Sequence, residues 1–100
     1  QALEAERFEK ALGAFLEKAQ ALVDSRFGER WEVLIAKKGK KYVKIVGLHE
    51  NHGGESAFCF VDIASGDVLK AESWHKPAKH ARGNIYTDEL GITPYGAKYL

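Results

Sequence analysis

One hundred residues suffice for one domain around one core and are too few for two. With 45% hydrophobic and 29% charged residues, the composition is globular and excludes a disordered chain. A formal charge of +1 excludes a chain-wide polycation, and a single cysteine excludes an intramolecular disulfide framework or a Cys-rich zinc site.

The spacing predicts a helix over residues 2–26. Phe8, Leu12, Phe15, Leu16, Ala19, Leu22 and Val23 recur on a 3.6-residue period, with Glu6, Arg7, Glu9, Lys10, Glu17 and Lys18 on the solvated side. Gly13 interrupts the stripe and is read as a point of close approach to the sheet, and Gly28 as the stop. Beyond Gly28 the period becomes two. Trp31 to Ala36, Tyr42 to Leu48, Ser56 to Ile63 and Val68 to Glu72 read as strands. Turn signals at Lys38-Gly39-Lys40, at the glycines Gly53-Gly54 and at Ala64-Ser65-Gly66-Asp67 join them into an antiparallel β-meander over residues 30–72.

Residues 73–100 complete the expected domain, 1–100, as a basic segment and a C-terminal strap. Trp74 to Asn84 has little strand character, and Pro77 is expected to open a short helical turn ending at Gly83. The remainder is too apolar for a free tail. The expected fold is therefore α+β: one long N-terminal amphipathic helix on a three- to four-stranded antiparallel β-meander, with a basic loop or short helix and the strap. One helix covers one sheet face, which leaves the other to solvent, a partner or the strap.

Charge is the first candidate for chemistry. Lys37, Lys38, Lys40, Lys41 and Lys44 place five cations in eight residues without an acid. Lys70, Lys76, Lys79 and Arg82 add four more against Glu72. A hairpin tip beside a basic loop can track phosphates, and Trp74 and Tyr42 offer stacking surfaces. The competing reading is a solvated edge whose lysines discourage sheet-to-sheet aggregation.

The histidines are weaker candidates. His49 and His52 share a loop and His75 and His80 flank Pro77, but neither spacing converges on a metal as a helical pair does, so no metal or cofactor is assigned. Cys59, between Phe58 and Phe60, reads as a small buried hydrophobe; one free thiol also fits a reducing compartment. Asp62 and Asp67 read as turn residues, and no serine has a nucleophile-elbow context. No catalytic residue is assigned, and an enzyme is the less favoured class.

Gly66-Asp67-Val68-Leu69-Lys70, Ser73-Trp74, Lys76-Pro77-Ala78-Lys79 and Ala81-Arg82-Gly83-Asn84-Ile85 form a distinctive run. With Lys41-Tyr42-Val43-Lys44-Ile45 and Phe58-Cys59-Phe60-Val61-Asp62 before it, this run resembles a family of small proteins encoded by tailed bacteriophages. The resemblance covers residues 40–86. That family has no established activity, so the resemblance implies context only: a phage product in the cytoplasm of an infected bacterium, with virion association as a variant. The same residues also admit a purely structural reading, with Gly66-Asp67 as a turn, Trp74 capping the core and Pro77 to Gly83 folding beneath the sheet.

Two classes of function follow. The first is a non-enzymatic accessory protein that binds nucleic acid through Lys40, Lys41, Lys44, Trp74, Lys76, Lys79 and Arg82. The second is a protein-interaction module for a host enzyme or a virion or assembly complex, motivated by the apolar strap and the half-covered sheet. No apolar run approaches the ~18 residues of a membrane span, and no signal-peptide pattern opens the chain. Methionine is absent even at position 1, which reads as processing, trimming or renumbering and leaves room for a missing N-terminal segment.

Overall fold

The structure is a computed structural model that describes residues 2–28, 31–49, 54–87, 89–93 and 96–97, with side chains in the first helix from Glu6 onward. The expected α+β class holds, with more strands than the sequence suggested. Helix α1 (Ala2–Phe27) is followed by β1 (Val33–Lys38), β2 (Tyr42–His49), β3 (Gly54–Asp62), β4 (Asp67–Ala71) and β5 (Pro77–Asn84). These five strands form one sheet in the order β1-β2-β3-β4-β5, every neighbour antiparallel. A small hairpin of β6 (Ile92–Thr93) and β7 (Gly96–Ala97) completes the described chain. No helix among the described residues is long and apolar enough to cross a membrane.

The amphipathic stripe does what its period implies. Phe8, Leu12, Phe15, Ala19 and Val23 are buried against Val43, Ile45, Cys59, Val61 and Val68, with Leu16 and Leu22 at the margin. Gly28 ends the helix at φ +97°, its N–H donating to the Asp24 carbonyl at 2.8 Å. Gly13 departs from expectation. It is exposed, and nothing lies within 4 Å of where its Cβ would stand, so it serves no close approach.

β1 is an edge strand, and α1 supplies its missing partner locally. The Gln20 amide donates to the Glu32 carbonyl at 2.7 Å and accepts from the Leu34 N–H at 2.8 Å. One side chain thus satisfies backbone groups that would otherwise template pairing with another strand.

The segment 77–84 corrects the expected short helix. It is β5, paired to β4 at Asp67↔Asn84, Val68↔Gly83, Leu69↔Ala81 and Ala71↔Pro77, with two breaks in register. Pro77 tolerates this place because β5 is an edge strand, where no further ladder requires its N–H. The chain does not fold beneath the sheet. The turn before β5 is closed by the N–H groups of Glu72 and Ser73, which both donate to the Lys76 carbonyl.

The strap lies on the helix side. Ile92 and Ala97 are buried in the same core as Phe15, β6 lies against α1, and β7 against β3 and β4. Gly91 approaches β5 so closely that a Cβ there would stand 2.3 Å from the Arg82 carbonyl carbon. The expected contributions of Pro94, Tyr95, Tyr99 and Leu100 lie outside the described residues.

Among the described residues, no part of the strap packs on the opposite face. Strand alternation puts Ile35, Val46, Phe60 and Leu69 there, since their neighbours Ile45, Cys59, Val61 and Val68 face the helix. Val46, Phe60 and Leu69 are nonetheless buried. Trp74, from the β4–β5 turn, reaches this face. It caps an outer cluster and not the main core, as its contact with Lys44 shows.

Candidate nucleic-acid interface

The β1–β2 hairpin carries the lysine run, and its register decides where the charges go. Lys37 pairs with Lys44, so two cations stand opposite each other on the outer face. Directly opposed like charges destabilise a sheet, and a surface selected for stability alone would avoid them. Two neighbours moderate the repulsion. Lys37 Nζ lies 3.3 Å from Glu55 Oε1, and Lys44 Nζ lies 4.1 Å from the centroid of Trp74 and 5.9 Å from that of Phe60.

The aromatic residues form a connected support. Tyr42 meets Phe60 edge to face with centroids 6.2 Å apart, and Lys41 Nζ lies 5.3 Å from the Tyr42 centroid. Phe60 is buried beneath them, on the row Lys44–Phe60–Leu69 that crosses three strands. Between the hairpin tip and this support lies an open concavity of about 340 Å³. Lys37, Lys38, Lys40, Lys41 and Lys44 line it with Gly39, Tyr42 and Phe60, and no carboxylate is among these residues.

Of the residues singled out from the sequence, Lys40, Lys41 and Lys44 share this concavity, and Trp74 joins them through Lys44. Lys76 sits in the β4–β5 turn, 3.7 Å from Glu72 Oε2. Lys79 and Arg82 lie on β5, at the far edge of the sheet from β1, with Arg82 donating to the His80 carbonyl. Lys37, Lys38 and Phe60, outside the set expected to bind, line the same concavity. The register Lys37↔Lys44 is the signal that adds the first, while Lys38 also binds Glu9 of α1.

Other parts of the distinctive run serve the fold. Asp62 Oδ1 accepts from the N–H groups of Ala64 and Ser65, as expected of a turn aspartate. Asn84 donates to the Ser65 carbonyl and to Asp67 Oδ1, tying β5 to the β3–β4 turn.

A second polar cluster surrounds Glu32, which is 7% exposed and therefore needs partners. His49 Nε2 lies 2.9 Å from Glu32 Oε2, and Ser56 Oγ donates to the same oxygen at 3.2 Å. The carboxylate occupies the space that a Cβ on Gly47 would take. Serine activation requires one imidazole nitrogen on the serine and the other on the acid. Here Nε2 faces both, so the cluster is a clip that ties the residue preceding β1 to β2 and β3. Among the described residues, no group of three or more His, Cys, Asp or Glu side chains is placed to hold a metal. His52 lies outside them. Cys59 is buried, and burial pushes its thiol far above its ordinary value of 9.0, so the nucleophilic thiolate is disfavoured.

Comparison with curated proteins and with solved structures gave no match to this chain. A sequence profile does match, over residues 4–95, and the chain belongs to the family it describes, a family of unknown function (DUF7717).

Proposed function

We propose that this chain is a small, phage-encoded, non-enzymatic accessory protein that binds nucleic acid at the β1–β2 hairpin tip and the adjoining outer face. The phage context rests on the resemblance of residues 40–86, and the cytoplasm of the infected host is the corresponding location. One observation carries the binding reading: five lysines line a single concavity, two of them directly opposed across strands. Such an arrangement costs stability in the free protein and gains when phosphates neutralise it. Lys40, Lys41 and Lys44 form the centre of the site and Trp74 supports it, while Lys76, Lys79 and Arg82 stand apart from the concavity.

The test is fluorescence anisotropy with labelled single-stranded and duplex oligonucleotides across a salt series. Four to five phosphate contacts predict a log–log slope of about −2.8 to −3.5 for a single strand, at roughly −0.7 per phosphate. No binding to any oligonucleotide at low salt would sink the proposal. In the alternative, a protein-interaction module, the buried Ile92 and Ala97 of the strap offer a partner no surface. That alternative is favoured by Trp31 and Val33, both 38% exposed, with Trp31 stacked on Phe27. A partner there perturbs Trp31 and Val33 in residue-resolved spectra and leaves Lys44 unchanged.

A further inference from the structure

We propose that the site grips nucleic acid by its phosphate backbone alone, the aromatic rings fixing lysine ammonium groups and not stacking bases. This inference rests on the nucleic-acid reading above and specifies what part of the ligand is held. Base stacking needs an accessible aromatic face. Phe60 is only 3% exposed, which denies a base its ring. Trp74 is half-buried and gives a face to Lys44 Nζ at 4.1 Å, and Tyr42 gives one to Lys41 Nζ at 5.3 Å while its flank meets Phe60.

The same contacts explain what the rings are for. A lysine side chain normally loses about 2 kcal/mol of rotamer entropy when it is immobilised on a ligand. Lys44, held over Trp74 and Phe60, has met part of that cost before binding, and its ammonium retains N–H donors for phosphate oxygens. Lys37, opposite in register, supplies the second ammonium once a phosphate displaces its exposed partner Glu55. Trp74 is in this account a positioning residue that acts through Lys44. The ligand class is a phosphodiester chain recognised without regard to base identity.

The experiment compares a single-stranded oligonucleotide with an abasic strand of the same length and charge, by anisotropy at low salt. A stacked base is worth a factor of about 5 to 150, so its removal is visible. The inference predicts affinities within about threefold for the abasic, oligo-dT and oligo-dA strands. Trp74→Ala should weaken all three equally and flatten the salt slope by about one contact, roughly 0.7, as Lys44→Gln does. Trp74→Phe, which restores an aromatic face, should recover the slope. Should Trp74→Ala fail to fold, Lys44→Gln and the abasic strand still decide the matter. An abasic strand weaker by more than tenfold, with salt-dependent binding of the intact strand preserved, overturns this inference and leaves the binding reading standing. Absence of binding by every strand removes the binding reading and this inference together.

Discussion

Gly91→Val is expected to destabilise the fold by about 2–6 kcal/mol, a large fraction of the roughly 5–15 kcal/mol that holds a domain of this size together. Two independent penalties add. Gly91 has φ +67°, where a β-branched residue is strained by roughly 1–3 kcal/mol. Its new Cβ would also meet the Arg82 carbonyl carbon and oxygen at 2.3 Å, and overpacking against backbone costs a further ~1–3 kcal/mol. Relief is barred from the other side, because a Cβ on Gly83 would meet the Leu90 carbonyl carbon at 2.4 Å. Gly13→Ala provides the control of opposite sign: an exposed helix-interior glycine with open space around it should stabilise by up to ~1 kcal/mol. Thermal and urea denaturation followed by circular dichroism reads both. A Gly91→Val protein as stable as the parent contradicts the close packing of strap on β5.

The triple variant Lys40→Glu, Lys41→Glu, Lys44→Glu should bind single-stranded oligonucleotides at least a hundredfold more weakly while remaining folded. Three lost charge-assisted contacts at ~1 kcal/mol or more each amount to about two decades of affinity. The salt slope should fall by about 2, at roughly 0.7 per phosphate contact. Folding should survive because Lys40 and Lys41 are exposed in a turn, and Lys44 gives up a ring contact and an opposed charge at once. Lys10→Glu with Lys18→Glu changes net charge in the same direction on the exposed side of α1. That pair should leave affinity within about threefold at moderate salt, where charges beyond ~10 Å are screened. A loss in the control of about two-thirds the triple variant's, on the logarithmic scale, would mean that net charge, and not this site, sets the affinity, since the charge changes stand as four to six.

The parts of the fold that were legible in the sequence are those whose local signal agrees with their tertiary use. The stripe from Phe8 to Val23 has one partner surface and a glycine stop, so its period reads directly. The first four strands carry β-branched and aromatic residues between short turns. β5 was illegible because Pro77, Lys79, His80, Arg82 and Gly83 have little strand preference, and pairing with Val68 and Leu69 makes them a strand regardless. Two register breaks also erase its period of two. β6 and β7 are two residues each, too short to show any period.

The site was legible in its charges and not in its geometry. Five lysines in eight residues are visible in any reading, but Lys37 faces Lys44 only because the hairpin register puts it there. Lys44 and Trp74 lie thirty positions apart, and their contact follows from a turn two strands away from β2. Gln20 clipping the edge of β1 is of the same kind, a side-chain role fixed by helix placement alone.

The central claim, that nucleic acid docks on the hairpin tip and the face under Trp74, is tested most directly by residue-resolved NMR. The isotope-labelled chain is titrated at low salt with a single-stranded oligonucleotide. Saturable shifts are expected at Lys37 to Lys44, Phe60 and Trp74, and in α1 only around Glu9, the partner of Lys38, with Trp31 unmoved. Shifts confined to Trp31, Val33 and His49, or none at all, would contradict it.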